Sequence, residues 1–441
     1  VSRAATSAGR SALAVAVFCS ALFASAASAG AATTPRAALQ QAQRQVQALS
    51  PQASAALARA TVPGLWINAR SADAPPYGLG VFTGSGQAVG DLAGLSASGA
   101  RTASALILTA DRSLAEDAIA QARGGGAGLL TRAKHALSAG EGLARAGKLS
   151  SAVDAYAEAW QAAYGALTHR VASEVTRVPS GALAAAAEQA LGSPRFDMAG
   201  PMFEQPSRPL TAAGKPEVFY AGSEACPFCG VQRWGMIVAL SQFGTFSNLH
   251  LMQSIFNNQP QVTTFTFFGS SYRSPYISFV PVEVWSNVPK PPGLTPLQKL
   301  TPAQSALLHR FDPPIETPFI DVANQFVIDS ATVDPHLIAH KSWTQLAGAL
   351  TDPGNISTQA IAGEAEVLTA EVCEATGGNP QSVCSSAVVQ QYETALPTLT
   401  GRGGSCPAPT PPGGSARDAA VRARARTGQA SPIATAARCQ G

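Results

Sequence analysis

Apolar positions follow two different rhythms along this chain. Up to about residue 190 they recur at helical spacing, and from residue 217 they come in short, dense runs. In the stretch 151–175, SAVDAYAEAWQAAYGALTHRVASEV, the residues Val153, Tyr156, Ala157, Trp160, Ala163, Tyr164 and Leu167 fall at i, i+3, i+4 and i+7. That spacing places them on one face of a long helix. Ser150 or Ser151 is positioned to cap it, and Asp154 complements the positive end of its dipole. The aromatic stripe reads as core packing. Residues 35–61 predict one or two amphipathic helices. Residues 62–110 are mixed and rich in Gly and Ser and give no clear element. Residues 111–140 predict helix broken at Gly124-Gly125-Gly126. The first unit is therefore an all-helical domain over residues 33–200.

Prolines and glycines then punctuate the chain. Gly192-Ser193-Pro194, Pro201, Pro206, Pro209 and Lys215-Pro216 predict a linker over 201–216. Beyond it, Glu217–Ala221 (EVFYA) reads as a short apolar strand, and Gly230–Leu240 as a helix ending near Phe243-Gly244. Asn248–Gln253, Thr263–Phe268 and Tyr276–Trp285 carry strand composition. Thr301–Arg310 reads as a helix, and 316–328 as a proline, a strand, a two-residue turn and another strand. Residues 217–395 therefore predict an α/β domain with inserted strands and an inserted helix.

Composition sharpens this division. Of the Ala residues, 57 lie in 1–200 and 12 in 201–350, whereas 13 of the 17 Phe lie in 201–350. Ala favours helix, and Phe favours strands and cores. Charged residues make up 13% of the chain and the net charge is +3. So small a charge leaves no footprint for nucleic acid. No run of roughly 18 apolar residues occurs after the N-terminus, which excludes a polytopic membrane protein.

At the N-terminus Arg3 and Arg10 precede an apolar run, Ala12–Phe23, and the small residues Ala27-Ser28-Ala29. This order predicts a signal peptide over 1–29 that contains Cys19, and a secreted or cell-envelope location. The alternative is retention of the apolar run as an uncleaved anchor. The tail, 400–441, is rich in Pro, Gly and Arg and predicts disorder; its Cys406 and Cys439 either pair or stay free.

The visible chemistry is Cys226-Pro227-Phe228-Cys229, placed between a strand and a helix. The first amide groups of a helix lack intrahelical partners and, with the dipole, favour an anion. A thiolate at Cys226 is thereby stabilised near neutral pH. Pro227 fits the first helical turn, where a missing N–H costs nothing. Cys229 lies one turn on, where it can attack a mixed disulfide at Cys226. Glu224 is a candidate proton relay, with a solvated turn residue as the plainer reading. Arg233 is a candidate for tuning the thiolate, against simple surface exposure. A zinc site finds no second Cys or His pair at the required spacing, so no metal is expected. A static Cys226–Cys229 disulfide remains an alternative. Cys373 and Cys384 flank a Gly-Gly-Asn-Pro turn and predict a structural disulfide, with a second redox pair as the alternative.

Strand, CxxC and helix, followed later by Thr317-Pro318 before a strand, resemble the thioredoxin superfamily. The resemblance implies a thioredoxin-like α/β domain and a cis Thr317–Pro318 bond facing the CxxC. It also implies that backbone beside that bond pairs with a bound substrate. The strings FYAGSEACPFCGVQRWGMIVALSQFGTFSNL and TFTFFGSSYRSPYISFVPVE resemble domain-of-unknown-function family 929, over roughly residues 205–395. The expected function is thiol–disulfide exchange on exported proteins, with an unidentified redox partner and no bound cofactor. The alternative is a non-catalytic scaffold that associates with the cell envelope.

Overall fold

A computed structural model describes residues 33–191, 193, 201–203, 208–254, 260–290, 293–311, 317–329 and 331–399. The expected export segment and the tail with Cys406 and Cys439 lie outside these residues.

The N-terminal half is helical: α1 (Pro35–Val46), α2 (Pro51–Ala60), α3 (Leu79–Leu92), α4 (Ser98–Gln121), α5 (Ala127–Arg145), α6 (Leu149–Val175) and α7 (Ser180–Ala190). Helices α1 and α2 each start on a proline behind a hydroxyl cap. Thr34 Oγ1 accepts from the Ala37 N–H at 3.4 Å, and Ser50 Oγ accepts from the Ala53 N–H at 3.2 Å. Helix α6 starts differently from the sequence expectation. Lys148 is its N-cap residue and provides no side-chain cap, and Ser150 and Ser151 lie inside the first turn. The preceding turn fixes this entry: Gly147 is left-handed at φ 71°, and the Lys148 N–H donates to Leu143 O at 2.9 Å. The predicted stripe is buried except for half-buried Ala157, with ring centroids 5.4 Å apart for Phe82–Trp160 and 4.7 Å for Trp160–Tyr164.

Helix α3 and the first part of α4 occupy the stretch that gave no element in the sequence. The reason is visible at Gly84, where a Cβ would lie 2.7 Å from both Ala56 O and Ala60 Cβ. Backbone-to-backbone packing of α3 on α2 outweighs the poor helix propensity of glycine.

The second half contains β1 (Pro201–Phe203), β2 (Thr211–Ala212), β3 (Lys215–Ser223), α8 (Pro227–Ser241), β4 (Thr245–Ser247), β5 (His250–Ser254), β6 (Val262–Thr266), β7 (Ser271–Arg273), β8 (Ser278–Lys290), β9 (Gly293–Pro296), α9 (Pro302–Phe311), β10 (Phe319–Val322) and β11 (Phe326–Ile328). After these come α10 (Trp343–Ala349), α11 (Ile356–Ala375), α12 (Gln381–Cys384) and α13 (Ala387–Leu399). A seven-stranded sheet runs β1-β11-β10-β3-β8-β9, with β2 paired to β3. Strands β3 and β8 are parallel, whereas β10 is antiparallel to β3. The pairs β4–β7 and β5–β6 form separate two-stranded ladders.

The segment 201–216, expected as a linker, carries strands instead. Phe203 pairs with Phe326, and Thr211–Ala212 folds back on Pro216 and Lys215 through the left-handed pair Ala213-Gly214. Strand β1 covers the edge of β11, and β2 pairs the first residues of β3 ahead of its pairing with β10; a proline is tolerated at the first position of such an edge strand.

One core runs through both halves. Helix α7 packs on α11, Tyr164 and Trp343 meet edge to face at 6.2 Å, and Tyr392 Oη donates to Ala187 O at 2.8 Å. A smaller cluster of Phe219, Ala221, Val282, Leu308, Phe319 and Val327 covers the other sheet face. Cys373 and Cys384 form a disulfide joining the end of α11 to α12, with their Cα atoms 5.5 Å apart.

Candidate active site

The site sits where β3 ends and α8 begins. Strand β3 is buried from Glu217 to Ser223, so the turn after it is held from below. Pro227 takes the first helical position and Cys226 becomes the N-cap residue. The Cys229 N–H donates to Cys226 Sγ at 3.3 Å, which is the anion-stabilising contact expected at a helix start. The Cys226 thiol in turn donates to Thr317 O at 3.4 Å. The Thr317–Pro318 bond is cis. Residues 91 positions apart in sequence thus meet across one sulfur. Cys226 and Cys229 are both free thiols, the first half-buried and the second buried.

Their acidities diverge. Hydrogen bonding from the Cys229 side chain, against the opposing effect of burial, brings the Cys226 thiol down to about 7. The Cys229 backbone N–H, the Thr317 side chain and the charge of Arg233 act in the same downward direction. Burial pushes the Cys229 thiol well above the usual thiol range. One thiol is thereby acidified and the other held protonated.

Arg233 is not a surface residue. It is fully buried, and Nε and Nη2 grip Glu283 Oε1 and Oε2 at 2.8 Å each. Nη2 also donates to Ser223 O at 2.8 Å. The guanidinium carbon lies 6.0 Å from the centre of the Tyr220 ring. Through Ser223, whose N–H donates to Cys229 Sγ at 3.5 Å, this charge connects to the buried cysteine of the CxxC turn.

Glu224 is not a solvated turn residue either. It is 1% exposed. Its N–H donates to Trp285 O at 2.8 Å, and its carbonyl accepts from Ser254 Oγ at 2.9 Å. The carboxylate accepts a hydrogen bond from Tyr77 Oη, a residue of the helical half. Burial raises the Glu224 carboxyl, and the Tyr77 hydrogen bond opposes that rise. Beside it, Asp73 accepts from Asn287 Nδ2 at 2.8 Å and from the Ala74 N–H at 2.7 Å. Burial pushes Asp73 up to about 7.

The structure therefore brings Cys226, Cys229, Thr317, Pro318, Glu224 and Arg233 to one end of the sheet, and leaves Cys373 and Cys384 elsewhere as a disulfide pair. Four partners had escaped the sequence reading: Asp73, Tyr77, Glu283 and Asn287. One of them, Glu283, had a readable signal: it is a lone charge in an apolar strand, as Arg233 is in an apolar helix, and buried charges require partners. Asp73 and Tyr77 had none, because they lie in the stretch with no regular pattern. Among the described residues, no three His, Cys, Asp or Glu side chains gather into a group that could hold a metal ion.

A family model described as a domain of unknown function, DUF929, matches residues 201–291. This region includes the CxxC, Glu224, Arg233 and Glu283, and stops short of Thr317 and Pro318. No curated protein and no solved structure matches the chain.

Proposed function

We propose that this protein is an exported thiol–disulfide oxidoreductase acting on other exported proteins, with Cys226 as the attacking thiol and Cys229 as the resolving one. The observation that carries the reading is the convergence on Cys226 Sγ of the Cys229 N–H at 3.3 Å and Thr317 O at 3.4 Å. The fold reading that goes with it is thioredoxin-like. It is supported by β3 lying between parallel β8 and antiparallel β10, with α8 leaving directly from the CxxC. Export is supported by the Arg-led apolar N-terminus and by the Cys373–Cys384 disulfide, a bond characteristic of oxidising compartments.

In the reduced form, the Cys226 thiolate attacks a substrate disulfide. One substrate sulfur leaves as a thiolate and takes up a proton, and a mixed disulfide forms at Cys226. Cys229 loses its proton and attacks Cys226 Sγ. The second substrate thiol leaves, and the pair is oxidised as the substrate is reduced. Run in reverse, the oxidised pair accepts two electrons from two substrate thiols and delivers a disulfide. A second disulfide-bearing partner then takes those electrons from Cys226 and Cys229. The acidity of Cys226 makes it a good leaving group, which favours this disulfide-delivering direction. Arg233 lowers the cost of the transient charge on Cys229. Thr317 and Pro318 present backbone to the bound segment.

The test is alkylation of the reduced protein by iodoacetamide as a function of pH. The rate at Cys226 should rise with a midpoint near 7. In parallel, Cys229→Ala should accumulate mixed disulfides with exported proteins. A midpoint in the ordinary thiol range together with no trapped partners would leave the CxxC as part of a scaffold.

A further inference from the structure

Of the five Trp residues in the chain, Trp66, Trp160, Trp234 and Trp343 are at most 2% exposed, whereas Trp285 is 42% exposed. Leaving so large an apolar side chain partly in water forgoes favourable burial. Its position is not random. Trp285 pairs with Ser223 on the last turn of strand before the CxxC, and its carbonyl accepts the Glu224 N–H at 2.8 Å. On the opposite flank of β3, Phe319 pairs with Ala221, which brings Thr317 and Pro318 to the same end of the sheet. Half-buried Cys226 lies between these flanks, and Phe228 beside it is also half-buried. The charged groups of this end, Glu224, Arg233 and Glu283, are all at most 1% exposed. Among the described residues, the charged groups at this end are thus turned away from solvent, while Trp285 is exposed.

The geometry points to Trp285 as a substrate-docking residue: it takes the aromatic or large aliphatic neighbour of the reacting cysteine in an extended segment of a substrate protein. This rests on the exchange reaction proposed above. The occupant follows from continuity with the thiol. A cysteine held over Cys226 with its backbone against Thr317 carries its neighbouring side chains across this end of the sheet, where Trp285 on the Ser223 flank is, among the described residues, a large exposed apolar group. An aromatic anchor of this kind is where recognition energy concentrates.

Three disulfide probes separate docking from chemistry. They are hydroxyethyl disulfide, and glutathione mixed disulfides of two short peptides that differ only by Phe or Gly next to the cysteine. Wild-type reduced protein should prefer the Phe peptide to the Gly peptide. Trp285→Ala should lower kcat/KM for the Phe peptide about tenfold, the loss expected for removing one aromatic anchor. The same variant should change the rate with hydroxyethyl disulfide less than about twofold. Trp285→Phe should restore most of the Phe-peptide rate, which a folding defect would not permit. Equal losses on all three probes, or no preference for the Phe peptide in wild type, overturn the docking role. A wild-type dimer that Trp285→Ala converts to monomer overturns it in favour of a second copy as occupant. Wild type inert to hydroxyethyl disulfide overturns the exchange reaction itself, and docking with it.

Discussion

At the scale of single residues, the site depends on one buried cation. Arg233 neutralises Glu283 through two hydrogen bonds and supports the Ser223 carbonyl, all without solvent. An ion pair of this kind costs desolvation when formed, and breaking it strands a charge in a medium that cannot solvate it. Arg233→Met should therefore lower stability by about 3–5 kcal/mol, measured as a shift of the urea midpoint at constant m. Replacing both partners, Arg233→Met with Glu283→Leu, should recover much of that loss. A single variant as stable as wild type would show that Glu283 has another counter-charge. The partnership was legible in outline, since each residue interrupts an apolar run. Its connection to Cys229 through Ser223 was not, because 50 residues separate the partners.

At the scale of elements, the packing of α8 on α11 is unusual in carrying acids. Gln232 donates to the carboxyl of Glu364, and at Gly235 a Cβ would lie 2.1 Å from Glu364 Cγ, so the glycine makes room for it. Burial pushes Glu364 up to about 8. Between the ordinary carboxylate value and that raised value, the folded chain keeps a proton that the unfolded chain has lost. Stability therefore falls as pH rises through this window, by up to about 1.4 kcal/mol per pH unit from this one group. Asp73, Glu366 and Asp321, each raised to about 7 by burial, act in the same direction. Glu364→Gln should keep the contact and flatten the dependence, read as urea midpoints at pH 5 and pH 8. An unchanged slope would assign the effect to the other acids. Nothing in the local sequence announced this. Helix α11 is buried over almost its whole length, so its acids face the core whatever their spacing.

At the scale of the whole molecule, the two compositions behave as one body. The Ala-rich helices and the Phe-rich sheet share a continuous core, and Tyr77 and Asp73 cross from one half to the other to reach Glu224 and Asn287. Thermal unfolding should accordingly be a single transition, coincident by tryptophan fluorescence and far-UV circular dichroism. Two separated transitions would mean that the shared core contributes little. No helix among the described residues is long and apolar enough to cross a membrane.

The sequence by itself determined the long aromatic-faced helix, the strand and helix around the CxxC, the two redox-candidate cysteines and the Cys373–Cys384 pair. Each of these rests on neighbours within a turn or two of the chain, where periodicity, proline placement and short spacing act directly. Only the tertiary structure decided the rest. Glycine-rich α3 forms because α2 lies against it, and the expected linker becomes strand because β11 and the start of β3 offer it backbone partners. Glu224 and Arg233 are buried because Tyr77 and Glu283 arrive from distant segments. Burial is a property of what packs on a residue, and a local pattern does not contain it.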